Sequence, residues 1–331
     1  MSTHAASPAP IVTVLCLTYN HAPYIRQCLD GFVMQRTTFP FEVLVHDDAS
    51  TDGTAAIVRE YELRHPGLFR VIYQTQNQYS KHDGLLYANV ARHIRGQYVA
   101  YCEGDDYWTN PDKLQLQLDY MLAHPRCTLC YTNLDYLYQD RGHTVHDYVT
   151  CGRHHMSRGF LDHLVNLKTV MPCTWLIRSD FFRDLPHRDY IDYTFPLALD
   201  AWAKGDVCFV DVNTATYRVL DESLCHSNSL QRIYGIRRGR FDIQLEYMQR
   251  YRSLVPALVR WWVCTQSYIS LYKVAAVMGR SDAIAECERW WVRHVSPPGW
   301  LFMLLRRTGV LRRMYLRRYA RRGFDVCQYG R

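Results

Sequence analysis

Three short loops carry side chains suited to binding a divalent cation and a phosphate group. They read T-Y-N at residues 18–20, D-D-A-S-T-D-G at residues 47–53 and E-G-D-D-Y-W at residues 103–108. Adjacent carboxylates, as in the second and third loops, repel one another unless a cation offsets their charge. Carboxylate oxygens suit Mg²⁺ or Mn²⁺, and such ions usually hold a phosphate-bearing ligand as well. The loops therefore predict a metal site that binds a phosphorylated substrate.

Each loop also has a structural interpretation. Ser50 or Asp52 can cap a helix that follows the second loop, and Asp105 with Asp106 can form an acidic turn ahead of Pro111. However, all three loops follow predicted parallel strands, and sheets of that type bind ligands at the carboxyl ends of their strands. This common position favours the functional interpretation.

The elements that position these loops alternate between strand and helix over the first 135 residues. Short apolar runs predict strands, and apolar residues three and four positions apart predict helices. The predicted strands span residues 11–17, 41–45, 68–73, 98–102 and 128–131, and the predicted helices span residues 22–35, 54–64, 85–94 and 113–122. Strands joined through helices favour right-handed crossovers and a mainly parallel sheet. The sequence thus predicts an α/β fold with the three loops facing one crevice.

Beyond residue 135 the pattern changes twice. Residues 136–228 contain only short predicted strands and one predicted helix, at residues 195–203. Residues 229–331 have helical patterns and are rich in tryptophan and tyrosine. At the other end, we expect residues 1–9 to be disordered.

The basic charge is concentrated near the end of the sequence. Residues 300–331 contain nine arginines and one acid, Asp325, a net charge of +8. Because the total is +7, residues 1–299 together carry −1. Arginine pairs that alternate with apolar and aromatic residues are typical of an amphipathic helix on an anionic membrane. No nucleic-acid recognition motif accompanies them, so we expect no specific nucleic-acid partner.

Composition places the chain among globular proteins. Hydrophobic residues make up 48% of it and charged residues 21%, which excludes wholesale disorder and a small disulfide scaffold. The first residues lack the pattern of a secretory signal, and no apolar run is long enough for a membrane-spanning helix. The twelve cysteines are scattered through apolar segments, as expected for reduced thiols. We therefore expect a cytoplasmic protein, with peripheral attachment to the inner face of the cell membrane through the basic tail.

The three loops, in this order, resemble the motifs of family 2 glycosyltransferases with the GT-A fold. Those enzymes carry a T-Y-N first strand, a D-D-x-S-x-D-G loop and a D-x-D-type metal motif. The resemblance is strong over residues 10–135 and weaker over residues 136–228. It implies a GT-A-like, mainly parallel sheet flanked by helices, followed by a helical C-terminal extension. It also implies transfer of a sugar from a nucleotide-diphosphate donor to a hydroxyl acceptor, with inversion at the sugar carbon.

The resemblance assigns a role to each part of the chain. Residues 10–135 would form the half that binds the nucleotide sugar, and residues 136–228 the acceptor-binding half of the same domain. Residues 229–331 would form a helical, basic C-terminal region. The expected acceptor is a saccharide or a lipid-linked molecule, in the synthesis of a cell-surface polysaccharide or glycolipid.

Five site residues follow from the resemblance by position. Thr18 and Asn20 would line the nucleotide pocket, and Asp48 would accept a hydrogen bond from the nucleobase. Asp105 would contact the ribose or the metal. Asp106 would bind the Mn²⁺ or Mg²⁺ that bridges the diphosphate.

Three further positions depart from the family pattern or align loosely with it. Lys81 lies where members often place a basic residue against the phosphates, although a solvated surface lysine is the alternative. The expected catalytic acid falls on Thr194, and a two-residue shift of the loop would let Asp192 serve as the base instead. Leu220 replaces the histidine of the family's Y-R-x-H element, and His226 in the next loop is a candidate metal or phosphate ligand.

These departures leave a second function open. If the loop does not shift, the chain would be a catalytically weak or inactive protein that binds a nucleotide sugar and recruits a membrane or a partner through its tail. A nucleotidyltransferase also needs acidic metal ligands on an α/β sheet, but no glycine-rich phosphate loop opens the first helix here.

Overall fold

The computed structural model describes residues 9–151, 157–167, 171–184, 188–220 and 229–307. The chain forms two compact units. The first unit comprises Met1–Gly159, Lys168–Asp189 and Leu197–Val219, and the second comprises Phe160–Leu167, Tyr190–Pro196 and Leu220–Arg331.

The first unit is built on one sheet, which has nine strands in the described part of the chain. The strands are β1 (Val12–Thr18), β2 (Phe41–Asp47), β3 (Phe69–Tyr73), β4 (Tyr98–Tyr101), β5 (Tyr107–Trp108), β6 (Cys127–Tyr138), β7 (His143–Val145), β8 (Leu176–Arg178) and β9 (Asp206–Val219). Their spatial order is β3-β2-β1-β4-β8-β6-β9-β5, with β7 paired to β6.

Helices flank the sheet and also make up most of the second unit. They are α1 (Ile25–Val33), α2 (Thr54–Arg64), α3 (Leu85–Ala91), α4 (Lys113–Ala123), α5 (Phe160–Asn166), α6 (Asp180–Arg183), α7 (Thr194–Lys204), α8 (Leu230–Arg250), α9 (Ala257–Met278), α10 (Ser281–Arg293) and α11 (Pro297–Arg307). None of them, within the described residues, combines the length and apolar character needed to cross a membrane.

A parallel block of four strands positions the three polar loops. Strand β1 pairs in parallel with both β2 and β4, and β2 pairs in parallel with β3. Residues 18–20, 47–53 and 103–108 follow β1, β2 and β4, so they emerge at the same edge of the sheet. The remaining strands make the sheet mixed, because β8 runs antiparallel to both β4 and β6.

Burial explains why these segments form strands and helices. Val12, Val14 and Leu15 of β1 are fully buried, as expected for a central strand covered on both faces. In α1, Ile25, Leu29 and other apolar residues at helical spacing face the core. The α/β fold expected from the sequence is confirmed.

The second unit contains its own apolar core. Fully or almost fully buried side chains from α8, α9 and α10 form it, among them Phe241, Tyr272, Val274 and Trp291. The Tyr272 and Trp291 rings lie 5.0 Å apart between centroids. This core holds the tryptophan-rich helices predicted for the C-terminal region.

Candidate active site

The first two polar loops are joined by hydrogen bonds. The Asn20 backbone N–H donates to Ser50 Oγ at 2.9 Å, and the Asn20 side-chain oxygen accepts from the Thr51 N–H at 2.8 Å. Asn20 has a left-handed backbone, with φ of 55°. Asparagine tolerates this conformation better than most residues do, which suits it to the turn after β1.

Asp52 links the same two loops and also bonds to Thr54, the first residue of α2. One of its oxygens accepts from the Ala22 N–H at 2.9 Å, and the other accepts from the Thr54 N–H and hydroxyl at 3.0 and 2.6 Å. Burial acts to raise the pKa of Asp52, but the hydrogen bonds from Thr54 and Ala22 outweigh it and lower the pKa. Asp52 therefore stabilises the loop structurally, and of the two capping candidates it is the one that bonds to the first turn of α2.

Asp48 is buried and holds the segment that contains Lys81. Its two carboxylate oxygens accept from the Gln78 N–H at 2.6 Å and the Tyr79 N–H at 3.0 Å. Its own N–H donates to the Thr18 carbonyl at 3.0 Å. The exposed Lys81 ammonium donates to the Gln78 side chain at 2.9 Å. These contacts bring Thr18, Asp48 and the Lys81 segment together at the edge of the sheet.

Three polar atoms at this edge are buried without a hydrogen-bond partner among the described residues. They are Thr18 Oγ1, His21 Nδ1 and Asp47 Oδ1. An unpaired buried polar atom is costly, so such atoms are usually satisfied by a ligand or an ordered water. Gly104 lies against two of them: a Cβ at Gly104 would approach Thr18 Oγ1 to 2.7 Å and His21 Nδ1 to 2.9 Å. The third loop thus packs on the first at a position where a side chain does not fit.

The third loop gathers three carboxylates. Glu103, Asp105 and Asp106 each offer an oxygen, and the three oxygens lie within 4.8 Å of one another. Asp106 is only 2% exposed. Burial, together with the negative charge of Asp105, raises the pKa of Asp106 well above its ordinary value. Hard oxygen donors with excess negative charge fit a divalent cation such as Mn²⁺ or Mg²⁺.

The family motif predicts metal or ribose contacts for Asp105 and Asp106 but no role for Glu103. The sequence signal for Glu103 is its position in the same loop, with one residue between it and Asp105. The structure places all three carboxylates in one cluster.

Arg218 on β9 forms hydrogen bonds with the acidic loop. Its backbone N–H donates to Asp106 Oδ1 at 2.8 Å, and its guanidinium donates to the Asp105 carbonyl and the Gln27 side chain. The guanidinium carbon lies 5.0 Å from the Tyr24 ring centroid and 4.5 Å from that of Tyr107. Cations over aromatic rings at such distances are attracted to them. Arg218 belongs to the segment that resembles the family's Y-R-x-H element, and that resemblance predicts no role for it.

Asp192 belongs to the second unit, where it bonds to the start of α7. One oxygen accepts from the Thr194 N–H at 3.0 Å, the Thr194 hydroxyl at 2.6 Å and the Phe195 N–H at 3.2 Å. The other accepts from Arg240 at 3.1 Å. Burial acts to raise the pKa of Asp192, but the charge of Arg240 and the hydrogen bonds from Thr194 and Phe195 lower it. His226, the other site residue expected in this part of the sequence, lies outside the described residues.

Comparison with known proteins identifies the family. The model of glycosyl transferase family 2 matches residues 13–185. The match covers more than half of the chain, which therefore belongs to this family. The family predicted from the three loops is confirmed.

Relatives with similar sequences cover only part of the chain. An uncharacterised protein of Mycobacterium tuberculosis strain H37Rv is 45% identical over 129 residues, which is 39% of this chain and 36% of that protein. The putative teichuronic acid biosynthesis glycosyltransferase TuaG of Bacillus subtilis is 30% identical over 131 residues, 40% of this chain and 49% of TuaG. The chain thus matches less than half the length of each of these relatives.

Solved structures extend the likeness to most of the chain. One of them is a mannosyltransferase from Pyrobaculum calidifontis in complex with GDP-Man and Mn²⁺, which is 18% identical to this chain. The alignment covers 95% of this chain and 87% of the mannosyltransferase, with a TM-score of 0.55. Residues 1–349 of S. aureus TarS are 18% identical, with coverage of 80% and 82% and a TM-score of 0.50. At these identities the likeness is one of fold, and it confirms the expected GT-A-like architecture.

The contacts of Arg218 generate a testable prediction. Arg218→Lys keeps the positive charge but removes the planar donor group that bonds to Asp105 and Gln27. We expect Mn²⁺ to bind roughly tenfold more weakly, because the loop that gathers the three carboxylates loses a partly buried hydrogen bond from a charged group. Titration of free Mn²⁺ by electron paramagnetic resonance measures this affinity.

The matched control is Arg126→Lys, which alters an exposed arginine paired with Asp206 at 3.0 Å. Exposed pairs contribute little, so this variant should bind Mn²⁺ as the unchanged protein does. Equal Mn²⁺ affinity in Arg218→Lys and the unchanged protein would show that Arg218 does not position the acidic loop.

Proposed function

We propose that the chain is a metal-dependent, inverting glycosyltransferase. It moves a sugar from a nucleotide-diphosphate donor to a hydroxyl group of a saccharide or lipid-linked acceptor, in cell-surface polysaccharide or glycolipid synthesis. The observation that carries this proposal is the cluster of Glu103, Asp105 and Asp106 beside unpaired buried polar atoms at the same sheet edge. Further support comes from the structurally similar proteins, which were solved with GDP-Man and Mn²⁺ or with UDP-GlcNAc.

The nucleotide would occupy the edge formed by the first two loops. Thr18 and Asn20 lie there, and the Thr18 hydroxyl is buried without a partner among the described residues. Each oxygen of Asp48 accepts one backbone N–H and retains capacity for a second donor, such as a nucleobase N–H. Lys81, three residues beyond Gln78, is exposed and would turn to the diphosphate, giving up its bond to the Gln78 side chain.

The metal would be held by Glu103, Asp105 and Asp106, with His226 as a further proposed ligand. Bound there, Mn²⁺ or Mg²⁺ would act as a Lewis acid on the leaving diphosphate. Arg218 would keep the loop in place through its contacts with Asp105 and Asp106.

Asp192 is proposed as the base that takes the proton of the acceptor hydroxyl. An inverting displacement needs a carboxylate within hydrogen-bond reach of that hydroxyl. The lowered pKa keeps Asp192 ionised, which a base requires. The same hydrogen bonds and the ion pair with Arg240 also make it a weak proton acceptor.

That engagement of Asp192 favours a second candidate function. If its carboxylate serves only α7 and Arg240, the chain would bind a nucleotide sugar without efficient turnover. It would then act as a binding protein whose basic tail attaches to a membrane or a partner.

The tail is proposed to bind an anionic membrane surface, which would place the protein at the inner face of the cell membrane. Eight arginines lie in pairs between Arg306 and Arg322. Each basic residue near an anionic leaflet contributes about 1 kcal/mol. Residues 308–331 lie outside the described part of the chain.

A thermal-shift titration tests donor and metal binding. Nucleoside diphosphates and nucleotide sugars of each base are added with and without Mn²⁺. A ligand at a hundred times its dissociation constant should stabilise the protein by about 2.7 kcal/mol. We expect stabilisation by one nucleotide class, dependent on Mn²⁺ and lost in Asp106→Asn. Stabilisation by no nucleotide would contradict both candidate functions.

Substitution of the proposed base separates the two functions. Asp192→Asn can still accept hydrogen bonds from α7 but cannot take a proton. We expect kcat to fall by about 10²- to 10⁴-fold, as for loss of a general base. Nucleotide-dependent stabilisation should remain. Release of the nucleoside diphosphate measures turnover.

Asp52→Asn is the matched control, because Asp52 contacts Thr54 at the distances at which Asp192 contacts Thr194, 3.0 and 2.6 Å. The change in the free energy of unfolding of Asp52→Asn shows how much stability is lost when a carboxylate with these contacts becomes an amide. Undiminished kcat in Asp192→Asn would leave Asp192 with a structural role only.

A further inference from the structure

The second unit exposes large apolar side chains on three segments. They are Leu258 and Trp262 of α9, Val295 after α10, and Trp300, Leu301 and Leu304 of α11, which we call the apolar ridge. Their exposed fractions range from 42% to 74%. Single apolar residues are common on protein surfaces, whereas several large ones on neighbouring segments mark a candidate interaction site.

Hydrogen bonds bring the three segments of the ridge together. The Trp261 indole N–H, at the start of α9, donates to the His294 carbonyl at 3.0 Å, just before Val295. The Trp300 indole N–H donates to the Trp291 carbonyl at 3.1 Å. The Ser296 N–H donates to that carbonyl at 3.0 Å. The end of α10 therefore lies next to the first turns of α9, and the start of α11 lies against the end of α10.

Packing fixes the ridge on the core of the second unit. Trp291 is fully buried beneath it, and a Cβ at Gly299 would lie 2.1 Å from Trp291 Cγ. Helix α11 thus starts in direct contact with the Trp291 ring. The exposed apolar side chains therefore belong to helices that pack on the folded core of the second unit.

Exposed arginines lie at the end of α10, close in sequence to Val295 of the ridge. Glu286 of α10 pairs with Arg238 and Asp282 pairs with Arg280, and Glu288, the last acid of this helix, directly precedes Arg289. The last turns of α10 carry the exposed arginines Arg289 and Arg293. From residue 289 to residue 324 the sequence contains ten arginines and no acid. An apolar surface with exposed arginines close to it in sequence matches a partner that is apolar inside and anionic at its surface.

We infer that the apolar ridge is a docking surface for the anionic leaflet of a lipid bilayer. Trp262 and Trp300 would lie at the level of the headgroups, where tryptophan is enriched in membrane proteins. Leu301 and Leu304 would reach the acyl chains, and the arginines would contact lipid phosphates. A single apolar anchor gives only weak, reversible binding, and stable attachment needs a second element such as a basic patch, which the arginine-rich sequence supplies.

The ridge would be an anchor in the folded part of the chain, in addition to the tail proposed above, and its binding does not depend on catalytic activity.

A second copy of the chain fits the ridge less well than a membrane does. In a symmetric dimer the same surface of both copies forms the interface, so the arginines beside the ridge would share one interface with those of the other copy. Like charges facing each other across an interface oppose association.

Co-sedimentation of the full chain with vesicles tests the inference. One set of vesicles is phosphatidylcholine alone, and the other contains equal parts of phosphatidylcholine and phosphatidylglycerol. The ridge variant is Trp300→Ser/Leu301→Ser/Leu304→Ser. We expect the unchanged protein to bind the anionic vesicles, and the ridge variant to bind them at least about tenfold more weakly, because its arginines remain but its apolar anchor is removed.

The matched control is Leu63→Ser/Leu122→Ser, which removes two leucines of the first unit that are 76% and 61% exposed. It should bind vesicles as the unchanged protein does. Because the triple variant can fail to fold, Leu258→Ser provides a second test at a site that is 74% exposed on a different helix. It should weaken binding in the same direction, with an unchanged melting temperature.

Two results would overturn the inference. If folded ridge variants bind anionic vesicles as tightly as the unchanged protein, and salt abolishes binding in both, then the arginines alone attach the chain. If light scattering shows a dimer without vesicles that the ridge variant breaks into monomers, the ridge is an interface between copies. Nucleotide-dependent stabilisation, measured without vesicles, reports separately on the proposed enzymatic function.

Discussion

The burial of Asp106 beside two other carboxylates is the constraint on which the rest of the first unit depends. This carboxylate is buried next to Asp105 and Glu103, which makes its ionisation costly in the protein alone. The backbone N–H of Arg218 binds one of its oxygens, while the guanidinium binds the carbonyl of Asp105. The protein thus orients the acidic loop without neutralising each carboxylate. That arrangement suits a site completed by a cation and an anionic ligand.

The sheet topology positions the acidic loop and the residues that bond to it. The parallel block β3-β2-β1-β4 brings three loops to one edge, and hydrogen bonds through Asn20 and Asp52 join the first two. Strand β9 pairs with the short β5 that begins at Tyr107, just after the acidic residues. This pairing places Arg218 within hydrogen-bond distance of Asp105 and Asp106 in the third loop. The mixed half of the sheet therefore supports the acidic loop that follows the parallel strand β4.

The sequence predicted what depends on local pattern. The buried strands and amphipathic helices of the first 135 residues showed clear periodicity, so the loops after β1, β2 and β4 could be placed at one edge. Arg218 escaped assignment because it lies more than a hundred residues from the acidic loop it supports. Strand β8 has only three residues, too few to show alternation, so its antiparallel insertion between β4 and β6 left no signal. The partner of Asp192, Arg240, is likewise distant in sequence.

The measurement that tests the central claim most directly is anomalous scattering at the manganese edge, from crystals grown with Mn²⁺ and the nucleotide that stabilises the protein. The account predicts a manganese peak bonded to carboxylate oxygens of Glu103, Asp105 and Asp106, with the diphosphate as a further ligand. A bound nucleotide with no manganese at this cluster, or with manganese coordinated elsewhere, would contradict it.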